Sequence, residues 1–132
     1  MEGTVLNLGY GLGRMRDLGL KPAEIRATGG GAKSRVWLQI VADVFGTPVV
    51  TLKEPEAAAY GAALQAVWNW RLAGGEKADI AAIAAKWIAK GKLAADPDPK
   101  SVKVYAELQA RFDDLWRRLV PDFEARRKDL SA

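Results

Sequence analysis

The sequence of 132 residues contains no cysteine and no histidine. Disulfides, thiol catalysis, Cys/His zinc sites and a Ser-His-Asp triad built within the chain are therefore excluded. No stretch is long and apolar enough to span a membrane, so no membrane partner is expected. Met1-Glu2-Gly3 is not a charged leader before an apolar core, which argues against a secretory signal. The absence of cysteine is compatible with a reducing compartment, and the cytoplasm is the default expectation. No five like charges occur in a row, and there is no internal repeat.

What is present is enough for one domain. Apolar residues make up 49% of the chain, so a core can form and disorder is not the default. The net charge is +4 and the pI near 9.5, a mildly basic balance that does not imply nucleic acid. Arg111, Arg117, Arg118, Arg126, Arg127 and Lys128 are interleaved with Glu107, Asp113, Asp114, Asp122 and Glu124, which reads as a solvated, salt-bridged face. Trp37, Trp68, Trp70, Trp87 and Trp116 are scattered, and core packing explains them better than base stacking.

Periodicity predicts a helix from about Glu2 to Leu18, with Val5, Leu8, Leu12, Met15 and Leu18 as its stripe. Gly9, Gly11 and Gly13 weaken it by roughly 1 kcal/mol each, so it needs close packing. Gly19 and Pro22 end it, and a short strand is expected over Glu24–Thr28. Ser34 is placed to cap a helix whose apolar face is Val36, Trp37, Ile40, Val41, Val44 and Phe45, stopped by Gly46 and Pro48. Val49–Leu52 reads as a second strand, parallel to the first across that helix. Pro55 and Glu56 open a thin helix of Ala57, Ala58, Ala59, Gly61, Ala62, Ala63 and Ala66, small enough to lie close to a sheet or a backbone. A small amphipathic helix is expected over Ala78–Lys90, a stiff turn at Asp96-Pro97-Asp98-Pro99, and a long helix from Ser101 to about Leu119. That last helix carries Val104, Tyr105, Leu108, Phe112, Leu115, Trp116 and Leu119 on one face, and the charged tail from Pro121 is expected to fray. Two strands are too few for a stable sheet.

The segment that carries chemistry is Thr28-Gly29-Gly30-Gly31-Ala32-Lys33-Ser34. It is not a Walker A loop, because Ala32 stands where a glycine must precede the lysine. It also lacks the G-x-G-x-x-G dinucleotide spacing, since Ser34 occupies the place of the last glycine. Glycines before a helix let backbone N–H groups approach an anion. Taken alone, the segment reads slightly better as a tight turn without a ligand, Lys33 as a solvated lysine and Ser34 as a cap.

Together with Trp37–Val49 and Glu56–Ala63, in this order and spacing, the segment resembles the FGGY carbohydrate kinases, most closely the xylulokinases. The resemblance runs from about Glu2 to Trp70 and more loosely to the C-terminus. It implies a helix-rich α/β fold, a partial actin-like, ribonuclease-H-like ATPase domain with extra C-terminal helices. Residues 1–95 would be a truncated nucleotide-binding C-terminal domain and residues 96–132 its helical extension. The implied cofactor is ATP with Mg. Gly29, Gly30, Gly31 and Ser34 would lie at the nucleotide, Gly30 at its α-phosphate or adenosine end, with Lys33 a weaker candidate. Glu56–Ala63 would be the close-packed helix behind the adenosine pocket.

The family's catalytic aspartate and sugar-binding domain lie upstream of the matched stretch, so no residue here is expected to be the general base and no metal ligand is assigned. Asp17, Asp43 and Asp79 read as ordinary surface or helix-terminus acids. An internal methionine standing as a start is one reading of Met1. The implied partners are a nucleotide, a sugar in the full-length enzyme alone, and either a second copy or a separate N-terminal half. The chain is thus expected to be the ATP-binding portion of a sugar kinase, inactive by itself. A non-catalytic module that self-associates through the bare edge of the first strand is the alternative.

Overall fold

The centre of the molecule is one amphipathic helix laid across a small sheet. The computed structural model describes residues 1–54 and 56–130; the expected helix opening at Pro55 lies partly outside them. The elements run α1 (Glu2–Asp17), β1 (Ile25–Ala27), a short 3₁₀ turn (Gly30–Lys33), α2 (Arg35–Phe45), β2 (Val49–Leu52), α3 (Ala57–Ala73), α4 (Ile80–Trp87), β3 (Lys90–Ala95) and α5 (Pro99–Asp129).

Helix α2 forms because its apolar residues recur on one stripe and both of its ends are set. Ser34 Oγ accepts from the Trp37 N–H at 3.3 Å, and Gly46 closes the other end. The helix buries Leu38, Val41 and Ala42 against Val5 of α1, Val49 of β2 and Ala95 of β3, so its buried line is displaced from the expected face, of which Val41 alone is buried and Val36 is exposed. Ile25, Ala27, Trp37, Ile40, Val44 and Phe45 pack around this cluster. Val5 and Val49 are fully buried, each worth about 1.5–3 kcal/mol relative to exposure. Arg16 at the end of α1 donates to the Phe45 carbonyl at 2.6 Å and to Thr47 Oγ1 at 3.1 Å, which pins the C-terminal end of α2.

Strands β1 and β2 are parallel, with Ile25 opposite Val49 and Ala27 opposite Thr51, and α2 is the crossover such a pair requires. A third strand, β3, joins the other edge of β2 antiparallel, with Val49 opposite Ala95 and Leu52 opposite Lys90. The expected helix over Ala78–Lys90 is therefore shorter than its pattern, and its last residue belongs to a strand. Lys90-Gly91-Lys92-Leu93-Ala94-Ala95 has no β-branched residue; pairing with β2 makes it a strand, not propensity. Glu24 ties the sheet's flanks together, accepting from Arg26 Nε and Lys90 Nζ, both at 2.9 Å. Those two cations, Lys90 first, hold its carboxyl below the usual carboxylate range.

Four further expectations are corrected. The tail does not fray at Pro121, because α5 runs on to Asp129. The apolar stripe of α5 does not enter the core, and none of its residues is buried. Val104, Leu115, Trp116 and Leu119 are exposed: α5 meets α1 and α2, with Trp116 against Tyr10, but these contacts cover its stripe only in part. In α1 only Val5 and Leu6 are buried, while Leu8, Met15 and Leu18 face solvent. Trp70, Trp87 and Trp116 are likewise exposed, although Trp116 lies against Tyr10 of α1 with ring centroids 5.3 Å apart; Trp37 and Trp68 are half-buried. No helix among the described residues is long and apolar enough to cross a membrane.

Candidate functional site

The glycine segment sits at the seam between β1 and α2. Gly29 has φ +75° and ψ −161°, a region open to glycine alone, so this position is required by the backbone whatever binds there. The chain then turns once as a 3₁₀ helix, with Ala32 N–H donating to the Gly29 carbonyl and Ser34 N–H to that of Gly31, both at 3.1 Å. The N–H groups that open such a turn have no carbonyl within it to receive them. A Cβ at Gly29 or Gly30 would meet nothing within 4 Å, so the protein itself leaves that space free. At Gly31 the opposite holds: a Cβ would lie 2.9 Å from Trp37 Nε1 and 3.2 Å from its Cδ1.

The five candidate residues are thus contiguous but face different ways. Gly29 and Gly30 are open to a ligand, Gly31 lies against the protein, and Ser34 is committed by its hydroxyl to the α2 cap. Lys33 is exposed and makes no ion pair among the described residues. The turn itself is open surface. Clefts occur elsewhere: about 280 Å³ bounded by Glu2, Lys100 and Tyr105, and about 260 Å³ bounded by Tyr60, Leu64, Val67 and Trp87.

Helix α3 departs from expectation. It packs on α4, buries Leu64 alone, and leaves Ala58, Ala59, Ala62 and Ala63 exposed. The small side chains therefore support no close packing among the described residues.

The acids have settled roles. Asp17 pairs with Arg14 at 3.3 Å, and Asp79 caps α4 by accepting from Ala81 N–H and Ala82 N–H. Asp43 is not a surface acid. It is 5% exposed, and its Oδ1 accepts from Gln39 Nε2 at 3.0 Å and from the Asp98 N–H at 2.8 Å. Gln39 also donates to the Asp96 carbonyl at 2.8 Å. A carboxylate so engaged ties α2 to the start of α5. The signal available in the sequence was the i,i+4 spacing of Gln39 and Asp43.

The segment that contains this turn also matches a known family. The profile described as "FGGY family of carbohydrate kinases, C-terminal domain" covers residues 1–70, from α1 through the glycine turn and most of α3. The chain belongs to the FGGY family of carbohydrate kinases. It is 53% identical over 68 residues to a xylulose kinase of Haemophilus influenzae, which is 52% of this chain and 14% of that protein. Two solved structures are similar. The gluconate kinase of Lactobacillus acidophilus has a TM-score of 0.72 at 30% identity, covering 89% of this chain and 23% of that one. The xylulose kinase of Rhodospirillum rubrum has a TM-score of 0.69 at 32% identity, covering 93% of this chain and 24% of that one.

The helix-rich α/β fold with its small mixed sheet is part of the actin-like, ribonuclease-H-like fold of these FGGY kinases. The chain corresponds to the C-terminal domain of the family, is xylulokinase-like in sequence, and spans less than a quarter of the length of these relatives.

Proposed function

We propose that this FGGY chain supplies part of the nucleotide shell of a kinase that phosphorylates xylulose or a related sugar. The observation that carries the reading is the glycine turn inside the family segment, where the fold leaves the space over Gly29 and Gly30 empty. The residues fit part of such a shell. Backbone N–H groups at the start of the turn and the exposed Lys33 offer donors and positive charge to phosphate oxygens, while Gly30 admits close approach. MgATP, when bound, supplies the phosphoryl group. The role of this chain is to hold and orient the nucleotide, which is where much of the catalysis of phosphoryl transfer lies.

The chain alone is then inactive. Asp17, Asp43 and Asp79 are each committed to a structural partner, which leaves none of them as the base for a sugar hydroxyl. Calorimetry with MgADP tests the binding, and Gly30→Val is the decisive variant. A Cβ there meets no protein atom within 4 Å, so Tm should hold while nucleotide affinity falls by tenfold or more, roughly the 1.4 kcal/mol of one lost contact. Unchanged affinity in that variant refutes the assignment of Gly30, and xylulose-dependent ADP release by the purified chain refutes inactivity.

A second reading has its own observation. Strand β1 pairs with β2 on one side only, so its outer edge has no strand partner among the described residues. A self-associating module would use that edge, and a monodisperse monomer in sedimentation velocity counts against it.

A further inference from the structure

The three glycines of the turn do different work, and one of them points to a neighbour that the motif does not include. Gly29 serves the backbone and Gly30 faces open space. Gly31 lies beside the indole of Trp37, where a Cβ would stand 2.9 Å from Nε1, 3.2 Å from Cδ1 and 3.6 Å from Cε2. Real Cβ contacts essentially never fall below 3.0 Å, so the indole leaves no room for a side chain at position 31. Trp37 is also fixed from two other directions. Its backbone N–H donates to Ser34 Oγ, and its side chain packs against the core around Leu38 and Val41.

We propose that Trp37 is the positioning residue of the glycine turn, its indole being the wall that sets the conformation of Gly29–Ser34. The inference rests on the nucleotide reading only in its last step, that this conformation is the one a nucleotide meets. A rigid aromatic plate beneath a glycine loop restrains the backbone without using any of the loop's own donors. The N–H groups are thus left for a ligand while the loop loses little freedom on binding. A flexible aliphatic residue at position 37 could fill the space but could not offer a rigid wall.

The test is a double-mutant cycle in the full chain, using Gly31→Ala, Trp37→Leu and both together, with Trp37→Phe as the conservative variant. Three quantities are read: Tm, amide exchange, and affinity for MgADP. The diagnostic amides are Ala32 and Ser34, whose N–H groups hold the turn closed on Gly29 and Gly31. Each single variant should speed their exchange about tenfold relative to amides in the body of α2, and Trp37→Phe should stay near wild type. In the double variant the alanine Cβ occupies space vacated by the indole, so the two effects should be strongly non-additive and exchange should return toward wild type. MgADP affinity should follow the same pattern, weakened in both single variants and partly restored in the double.

Additive effects, or turn exchange unmoved by Trp37→Leu once α2 is used as the reference, overturn the wall. A disturbed turn with unaltered MgADP affinity overturns the link to binding. If wild type binds no MgADP the nucleotide reading fails by itself, and the exchange cycle still decides the role of Trp37.

Discussion

Replacing Asp43 gives the most direct measure of how this small fold is held together. Its Oδ1 receives the Gln39 amide and the Asp98 N–H, and Asp98 in turn caps α5. Asp43→Ala removes the one acceptor of both bonds from a buried place. Hydrogen bonds to a charged group are worth about 1.5–3 kcal/mol each. Gln39 keeps its second acceptor at the Asp96 carbonyl, so its loss falls at the low end; the Asp98 N–H is left with none. The cost should be about 2–4 kcal/mol, a large share of the roughly 5–15 kcal/mol that holds a domain folded. With an unfolding entropy of about 2.1 cal/mol/K per residue, that lowers Tm by roughly 7–14 °C for a chain of this length. Asp43→Asn keeps the oxygen and loses the charge, so it should cost only about 1 kcal/mol. Urea unfolding followed by far-ultraviolet circular dichroism measures both, with an unchanged m-value as the check on two-state behaviour. A cost below about 0.5 kcal/mol for Asp43→Ala would refute the assignment, since that is the range of ordinary surface changes. Neither variant should alter MgADP affinity once the folded fraction is corrected, because Asp43 holds α2 to α5 and does not touch the glycine turn's open face.

Tyr105 donates to Glu2 Oε1 at 2.8 Å, and burial first, then that hydrogen bond, pushes its hydroxyl up to about 12. Its contribution to stability is therefore complete below about pH 10, where the unfolded phenol ionises, and is lost as pH rises toward about 12. Urea midpoints at pH 9 and 11.5 should diverge more in wild type than in Tyr105→Phe, and a phenol titrating at about 10 would contradict this. In α1, Gly11→Ala should stabilise by about 1 kcal/mol, because its Cβ meets nothing. Gly9→Ala should fail to gain, because its Cβ would lie 2.5 Å from Gln109 Oε1 and 3.0 Å from Val44 Cγ1. Equal gains at both positions would show that α1 does not rely on Gly9 to approach α2 and α5.

Local rules made much of this chain legible in its sequence. The apolar run from Val36 to Phe45, the Ser34 cap and the Gly46 stop define α2 through interactions within a few residues of one another, although Leu38 and Ala42, which it buries, lie off the expected face. A parallel pair of Ile25–Ala27 and Val49–Leu52 follows once a helix is known to join them. The glycine segment was recognisable by its spacing to α2 and α3, and the family profile spans that same stretch.

Tertiary structure decided what depended on partners distant in the chain. Lys90–Ala95 is a strand only because β2 offers an edge, and its own composition contains no such preference. Asp43 became a buried tie only when Asp98, far along the chain, arrived beside it. The apolar stripes of α1 and α5 and the small residues of α3 were real periodicities, but burial needs a second surface, and this chain covers only part of each. Within the turn, the sequence shows three identical glycines. Only the fold distinguishes the one bound to its φ angle, the one left open, and the one pressed against Trp37, because a glycine's role is set by what surrounds the side chain it does not have.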